Sequence, residues 1–204
     1  NFKHVGVVTD IKDYARIQKE LVTNKGVLTK ETRQSLAVKA FKLIAEYDIS
    51  IADYFNKIGE KKSTALPQYF TMALEKLTDL RYGENPHQQA AIYKKRKEPE
   101  KKLNQLHGKE LSYNNYLDID AAIAIVGEFQ LPGAVVIKHT NPCGAAIDDS
   151  LDLAYKRAYE ADSISAFGSI VGLNRTVDIK TAKELSQTFI EVIVAPGFDA
   201  DAKA

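Results

Sequence analysis

Residues 132–144 read PGAVVIKHTNPCG, and this stretch decides the fold class. The run at 134–137 is short, apolar and rich in β-branched side chains, which is typical of a buried strand. A Pro-Gly pair precedes the run, and a polar segment with another proline and glycine follows it. We therefore predict a buried strand that delivers Lys138 and His139 into a polar turn.

Helix-like and strand-like patterns alternate on either side of this strand. Apolar residues at helical spacing predict helices at 119–129, 151–161 and 181–186, with Asp118 and Ser150 just ahead of the first two. Short apolar runs predict strands at 90–93, 170–173 and 192–194, whereas residues 68–77 fit either a strand or a helix. Such alternation predicts an α/β layered fold.

Residues 1–59 predict one strand followed by two helices. The apolar run at 5–8 is predicted to be a buried strand, with Asp10 as N-cap of a helix that Gly26 ends and Thr29 as cap of the next. Residues 36–55 carry an apolar stripe at helical spacing, which we expect to face a core. Because the chain lacks an initial methionine and enters a strand almost at once, we predict a fragment of a longer protein.

The bulk composition is that of an ordinary soluble globular protein. Its 204 residues are 45% hydrophobic and 27% charged, with a formal net charge of +1. Such a charge predicts no bulk attraction to nucleic acid or to a membrane, and no apolar run reaches about 18 residues. Cys143 is the only cysteine, which excludes an intrachain disulfide and fits a reducing compartment. We expect a cytoplasmic protein that binds neither nucleic acid nor membrane.

Lys138 and His139 are the first candidates for catalysis. A histidine serves as a general base near neutral pH, and a neighbouring ammonium would disfavour its protonated form and could stabilise an oxyanion. The alternative is structural: Lys138 extends its charged end into solvent from the strand, and His139 is a hydrogen-bonded turn residue. Composition alone leaves both interpretations open.

Cys143 supports a rival interpretation. A Cys-His pair can be a nucleophile and its base, and Pro142-Cys143 matches half of the zinc deaminase signature. Ala146 occupies the position of the second cysteine ligand, so we do not expect zinc. A buried, unreactive cysteine beside Gly144 is the structural alternative.

Four further polar segments are candidates for ligand binding, and each also has a structural explanation. Arg81 in the segment 80–89 could hold a phosphate or carboxylate as a fork, although a solvated turn can share this composition. Segment 111–118 could simply cap the helix that follows it, and segment 162–169 could be a tight small-residue loop. Glu191, in segment 190–197, could be an ordinary charge on a strand edge.

Five blocks in order nevertheless resemble one family. They read LRYGENPHQQ at 80–89, LSYNNYLDIDAA at 111–122, IKHTNPCG at 137–144, DSISAFG at 162–168 and IVAPG at 193–197. Together they resemble the bifunctional AICAR transformylase/IMP cyclohydrolase family. The resemblance implies an α/β chain: the end of a doubly wound cyclohydrolase domain at 1–59, a linker at 60–66, and part of a cytidine-deaminase-like α/β/α transformylase domain at 67–204.

The resemblance also implies a site and a reaction. His139 corresponds to the general base of formyl transfer and Lys138 to its helper. The reaction transfers the formyl group of 10-formyltetrahydrofolate, a cosubstrate rather than a tightly bound cofactor, to the 5-amino group of AICAR. No metal is implied. The residues that correspond to contacts with the AICAR nucleotide are Arg81, Tyr82, Asn115, Gly168 and Glu191.

The family further implies a homodimer with AICAR and folate as its ligands. Its cyclohydrolase catalytic residues would lie before Asn1, and much of its folate and phosphate contacts would lie after Ala204. We therefore expect residues 1–204 alone neither to close IMP nor to transfer formyl groups efficiently. Two other functions remain open: a Cys143-dependent acyl-transfer or amidase-like enzyme, and a non-catalytic nucleotide-binding or oligomerisation module.

Overall fold

A computed structural model describes residues 1–59, 69–95 and 103–203. The chain divides into two compact units, one comprising Asn1–Glu75 with Lys94–Pro99 and the other Lys76–Tyr93 with Glu100–Ala204. The predicted linker at 60–66 lies outside the described residues.

The first unit contains a 3-10 turn, Ile11–Asp13, and two helices, α1 (Tyr14–Thr23) and α2 (Lys30–Gly59). The predicted caps are confirmed. The Asp10 carboxylate accepts the Lys12 amide, and Thr29 Oγ1 accepts the Thr32 amide at 3.2 Å. Gly26 follows α1 at φ +88°, a backbone conformation that glycine adopts without steric cost.

Two predictions for this unit are wrong. Residues 5–8 form no strand, and Val5 and Val7 are about half exposed, because no other strand pairs with them among the described residues. The stripe at 36–55 is also largely uncovered: Leu36 is buried, but Tyr47 is 64% exposed. A 30-residue helix is roughly 45 Å long, whereas the ten-residue α1 spans roughly 15 Å, so α1 cannot cover it.

The rest of the chain alternates strands and helices, as predicted. The undecided segment at 68–77 ends in a strand, β1, which pairs with β2 in a two-stranded sheet. The elements are β1 (Leu74–Asp79), β2 (Ala91–Lys95), α3 (Tyr113–Gly127), β3 (Gly133–Lys138), β4 (Asn141–Ile147), α4 (Leu151–Ala161), β5 (Ser169–Leu173), α5 (Ile179–Leu185) and β6 (Ile190–Val194).

A mixed four-stranded sheet in the order β4-β3-β5-β6 forms the centre of the second unit. Strand β3 is antiparallel to both β4 and β5, while β5 and β6 are parallel. The carboxyl end of β3 therefore lies at the same edge as the amino ends of β4, β5 and β6. We call this the site edge. An α/β fold is confirmed, but the site edge is not the carboxyl edge of a parallel sheet.

The two central strands are buried on both faces. Every residue of β5 is buried, as are the first five of β3. Val136 and Val171 pack on the side of α4, together with Tyr155. Val135 and Ile137 pack on the side of α3. Helices therefore cover both faces of the sheet, which explains why β3 is a continuous apolar run rather than an alternating one.

Strand β4 was not predicted. The polar segment after β3 was expected to be a longer turn, but the turn contains only His139 and Thr140 before β4 begins at Asn141. Two-residue hairpin turns are usually signalled by Asn-Gly or similar pairs, and a His-Thr pair gives no such signal. Pro142 is compatible with β4 because β4 lies at the edge of the sheet.

Helix α3 begins six residues earlier than predicted. Ser112 is its N-cap, and the Ser112 hydroxyl and the Asn115 side chain form a reciprocal capping box. The segment at 111–118, read from sequence as a polar cluster ahead of the helix, therefore supplies the cap and the first turns of the helix itself.

Candidate active site at one edge of the sheet

His139 occupies the tip of the β3–β4 hairpin. Its φ is +54° and that of Thr140 is +63°, so both central residues lie in the left-handed region that a type I′ turn requires. Such a conformation costs on the order of 1–3 kcal/mol for a non-glycine residue, and a β-branched threonine adopts it rarely. A turn with this much strain persists only where neighbouring contacts hold it. The turn places the exposed His139 imidazole at the site edge.

The peptide group between His139 and Thr140 is hydrogen-bonded on both sides. Its carbonyl accepts the Thr140 hydroxyl at 2.7 Å and the Asn141 side-chain amide at 2.9 Å. Its N–H donates to Asp118 Oδ1 at 2.6 Å. Asp118 lies on α3, so this last contact fixes the turn to the body of the unit.

Lys138 ends β3 and reaches the neighbouring loop at 162–168. Its ammonium donates to the Phe167 carbonyl at 3.0 Å, and this contact places it between β3 and the start of β5. The next residue, Gly168, has φ +70° and donates its amide to the Phe189 carbonyl at 2.9 Å. The predicted helper lysine therefore contacts the residue next to Gly168, in the loop just before β5. The ammonium contacts a backbone carbonyl here rather than the imidazole.

Glu191 is displaced from the regular pattern of β6 by a β-bulge. Ser169 pairs with Ile190 and Ile170 pairs with Val192, so Glu191 is the extra residue. Bulges re-aim side chains, and they are frequent beside active sites. Glu191 Oε1 accepts the side-chain amide of Asn115 at 3.1 Å, so the carboxylate is directed towards α3.

Asn115 is held rigidly by the capping box. It is 7% exposed, and its Oδ1 accepts both the Ser112 amide and the Ser112 hydroxyl at 2.9 Å. Because the side-chain oxygen of Asn115 already accepts two hydrogen bonds from Ser112, its side-chain nitrogen is the atom that donates to Glu191. The two predicted binding residues are therefore in direct contact although they lie far apart in sequence.

Arg81 and Tyr82 are tied to the start of α3 through the backbone. The Arg81 amide donates to the Leu111 carbonyl and the Tyr113 amide donates to the Tyr82 carbonyl, both at 3.1 Å. The Arg81 guanidinium lies 4.9 Å from the centroid of the Tyr82 ring and is exposed, so it is free to receive an anion. Beside them lies an open depression of about 460 Å³ lined by Gly83, Glu84, Gln88, Gln89, Ala90 and Tyr113.

The beginning of α3 thus connects the predicted site residues. Residues 111–113 hold the Arg81-Tyr82 backbone, Asn115 holds Glu191, and Asp118 holds the turn that carries His139. Lys138 lies at the end of β3 and contacts the loop that contains Gly168. The contacts of α3 therefore connect Arg81-Tyr82, Glu191 and the His139 turn, whereas Lys138 and Gly168 are brought together by a separate contact.

Cys143 lies on the α4 side of the sheet. It is the extra residue of a bulge in β4, between the pairs Ile137–Pro142 and Val136–Gly144. Its side chain is partly buried against the core, and this burial raises the pKa of the thiol; the Asp162 carboxylate raises the pKa further, and the Lys138 ammonium offsets only part of the rise. A thiol with a raised pKa is a poor nucleophile at neutral pH. The geometry therefore disfavours a Cys143 nucleophile.

Sequence reasoning missed Asp118 and Thr140 as contributors to the site. The sequence indicates only that Asp118 lies near the start of a helix. It follows Asn115 by three positions, which places both side chains on one face of a helix, but this signal requires the helix to begin at Tyr113. No sequence pattern indicates that the backbone amide of Thr140 contributes to the site.

Among the described residues, no helix combines the length and the apolar character that crossing a bilayer requires. Nor do the described residues contain a group of three or more His, Cys, Asp or Glu side chains arranged to hold a metal ion.

Comparisons with known proteins give matches that extend along the whole chain. A family model described as AICARFT/IMPCHase bienzyme matches residues 1–204. The chain is 48% identical over 206 residues to the bifunctional purine biosynthesis protein PurH of Halalkalibacterium halodurans, covering 99% of this chain and 39% of that protein. It is 50% identical over 205 residues to the protein of the same name from Oceanobacillus iheyensis, with coverage of 99% and 39%.

A third protein of that name, from Caldicellulosiruptor saccharolyticus, is 49% identical over 207 residues, with coverage of 99% and 40%. The chain therefore spans about two fifths of the length of these curated relatives. Because the family model matches it from the first residue to the last, the chain belongs to the AICARFT/IMPCHase bienzyme family.

Proposed function

We propose that this chain supplies the base and part of the nucleotide-binding surface of an AICAR transformylase site. The site transfers the formyl group of 10-formyltetrahydrofolate to the 5-amino group of AICAR, in a protein of purine biosynthesis that also closes the product to IMP. The observation that supports the proposal is that helix α3 contacts both the turn that carries His139, through Asp118, and the Glu191 carboxylate, through Asn115.

The chemistry needs a base because the 5-amino group of AICAR is conjugated with its ring and carboxamide and is a poor nucleophile. The His139 imidazole takes a proton from this nitrogen as it bonds to the formyl carbon. The bond from the formyl carbon to N10 of the folate then breaks as the imidazolium returns that proton to N10, which leaves as the neutral secondary amine of tetrahydrofolate. The Lys138 ammonium stabilises the oxygen that becomes negative in between.

Binding of the nucleotide follows from charge and shape. The exposed Arg81 guanidinium pairs with the phosphate as a fork, with Tyr82 beside it. Glu191 accepts hydrogen bonds from donor groups of the nucleotide while Asn115 holds the carboxylate in place. Gly168 offers close backbone approach, because it has no side chain of its own.

The finer architecture belongs to the same proposal. Residues 1–59 are the end of a cyclohydrolase domain, 60–66 a linker, and 67–204 the first part of a cytidine-deaminase-like α/β/α transformylase domain. Helices on both faces of the sheet support this assignment. The protein is a cytoplasmic homodimer that uses folate as cosubstrate.

The test is the kinetics of His139→Ala in a chain extended to the full length of its relatives. Loss of a general base lowers kcat for formyl transfer by about 10²–10⁴-fold. His107→Ala, which removes another exposed imidazole, is the matched control and changes kcat less than about twofold. The circular-dichroism spectrum and melting temperature, measured on the same samples, stay at the wild-type values and exclude misfolding. Undiminished formyl transfer by His139→Ala would show that the base is elsewhere.

A further inference from the structure

We infer that Asp118 is a positioning residue for His139: its carboxylate ties the hairpin turn that carries the imidazole to helix α3 and so holds the imidazole at the site edge. The inference rests on the proposed function, in which His139 is the base. Asp118 touches neither reacting atom, so it acts only through the turn. Its contact is the 2.6 Å hydrogen bond from the Thr140 amide to Oδ1.

The contact anchors a strained turn. His139 and Thr140 both have positive φ, at +54° and +63°. This conformation is costly for a β-branched threonine, so contacts from outside the turn are needed to hold it in place. A type II′ turn is no alternative, because it requires glycine at the position that His139 occupies. Loss of the anchor would therefore let the whole hairpin tip shift, and His139 with it.

Asp118 is the group that anchors the turn from outside it. The hydrogen bonds from the Thr140 hydroxyl and the Asn141 amide to the His139 carbonyl come from the turn itself and move with it. The charge-assisted hydrogen bond from the Thr140 amide to Asp118 instead joins the turn to α3. The carboxylate therefore restrains the position of the turn relative to the helix.

The position of Asp118 on α3 makes this support rigid. Asp118 precedes Ile119, which is 2% exposed and packs in the core against β3. It also follows Asn115 by one turn, so a single helix holds both the His139 turn and the Glu191 carboxylate. The helix therefore fixes the His139 turn and the Glu191 carboxylate relative to each other.

The experiment compares variants in a chain of the relatives' full length, with kcat and the KM for AICAR measured separately. Asp118→Ala lowers kcat by about 10- to 100-fold, as expected when a catalytic group moves by about 1 Å, and changes KM less than about threefold. Asp118→Asn keeps an acceptor oxygen and loses less than about fivefold in kcat. Asp120→Ala, an exposed carboxylate on the same helix, is the control and stays at the wild-type rate.

A second measurement tests whether the turn is the route. Hydrogen exchange of the Thr140 amide, followed by mass spectrometry, is at least about tenfold faster in Asp118→Ala than in wild type, because this amide loses its acceptor. An Asp118→Ala enzyme with normal kcat overturns the inference, and so does a loss of rate without faster exchange in this turn. A large fall in the melting temperature of Asp118→Ala would also overturn it, by showing a purely structural role.

The results that would refute the proposed function differ from those that would refute the positioning role of Asp118. If His139→Ala transfers formyl groups at the wild-type rate, the base assignment is wrong whatever Asp118 does. If His139→Ala is inactive and Asp118→Ala is normal, the base stands and only the positioning role falls.

Discussion

Replacing Gly144 with alanine is expected to separate β4 from α4. Gly144 is buried in β4. A Cβ at this position would lie 1.9 Å from the Ala158 carbonyl oxygen and 2.9 Å from both the Ala158 carbonyl carbon and the Ala161 Cβ. Two of these three atoms belong to the backbone of α4 and cannot move away by rotating a side chain. The glycine of the 137–144 block therefore has a packing role that needs no ligand to explain it.

The size of the effect follows from the distance. Real Cβ atoms essentially never approach another heavy atom closer than 3.0 Å, so the helix and strand must move apart by more than 1 Å. The movement would loosen a core that includes Ala154, Tyr155 and Ala158 of α4. Overpacking typically costs about 1–3 kcal/mol and occasionally more, and a clash with backbone places this variant near about 3 kcal/mol. A loss of that size lowers Tm by roughly 6–12 °C in a chain of this length.

The assay is thermal and denaturant-induced unfolding followed by circular dichroism. Gly127→Ala is the matched control, because nothing lies within 4 Å of the Cβ that it adds at the end of α3. Alanine is favoured over glycine in a helix by about 1 kcal/mol, so this control is neutral or more stable than wild type. A Gly144→Ala protein within about 0.5 kcal/mol of wild type would refute the packing account.

Three further predictions concern single residues. Cys143→Ala changes the formyl-transfer rate less than about threefold, since the pKa of the buried thiol is raised and it is no nucleophile; near-total loss in a steady-state assay would restore the cysteine hypothesis. Asn115→Ala lowers the unfolding free energy by about 1–2 kcal/mol in urea titrations, because it removes the capping box, and an unchanged midpoint would contradict this. Asp178→Ala lowers the free energy of unfolding by about 1 kcal/mol at pH 7. Hydrogen bonds from Thr181 lower the pKa of the Asp178 carboxyl, so this difference is present above the unfolded value near 3.8 and disappears as pH falls through the lower folded pKa. A difference that persisted at pH 2 would exclude this origin.

Local sequence patterns predicted the buried elements of the second unit well. Strands β3 and β5 are covered on both faces, so each is a continuous apolar run that no turn interrupts. Helix α4 begins directly after Ser150 and ends at Ala161, as the apolar spacing indicates. In these segments burial and local preference agree, which is the condition under which a short window of sequence is informative.

Strand direction and long-range contacts could not be predicted in the same way. Whether β5 runs parallel or antiparallel to β3 depends on the connections, and an apolar run is compatible with both. The contact between Asn115 and Glu191 joins residues 76 positions apart and depends on a bulge in β6. The hairpin turn was missed because Asp118, a residue outside the turn, stabilises a conformation that His139 and Thr140 do not favour themselves.

A crystal structure with AICAR bound to a chain of the relatives' full length tests the central claim most directly. We predict that the 5-amino nitrogen lies within about 2.6–3.2 Å of a ring nitrogen of His139, with the phosphate on the Arg81 guanidinium. A nucleotide bound elsewhere, with the His139 ring facing bulk solvent, would contradict the account.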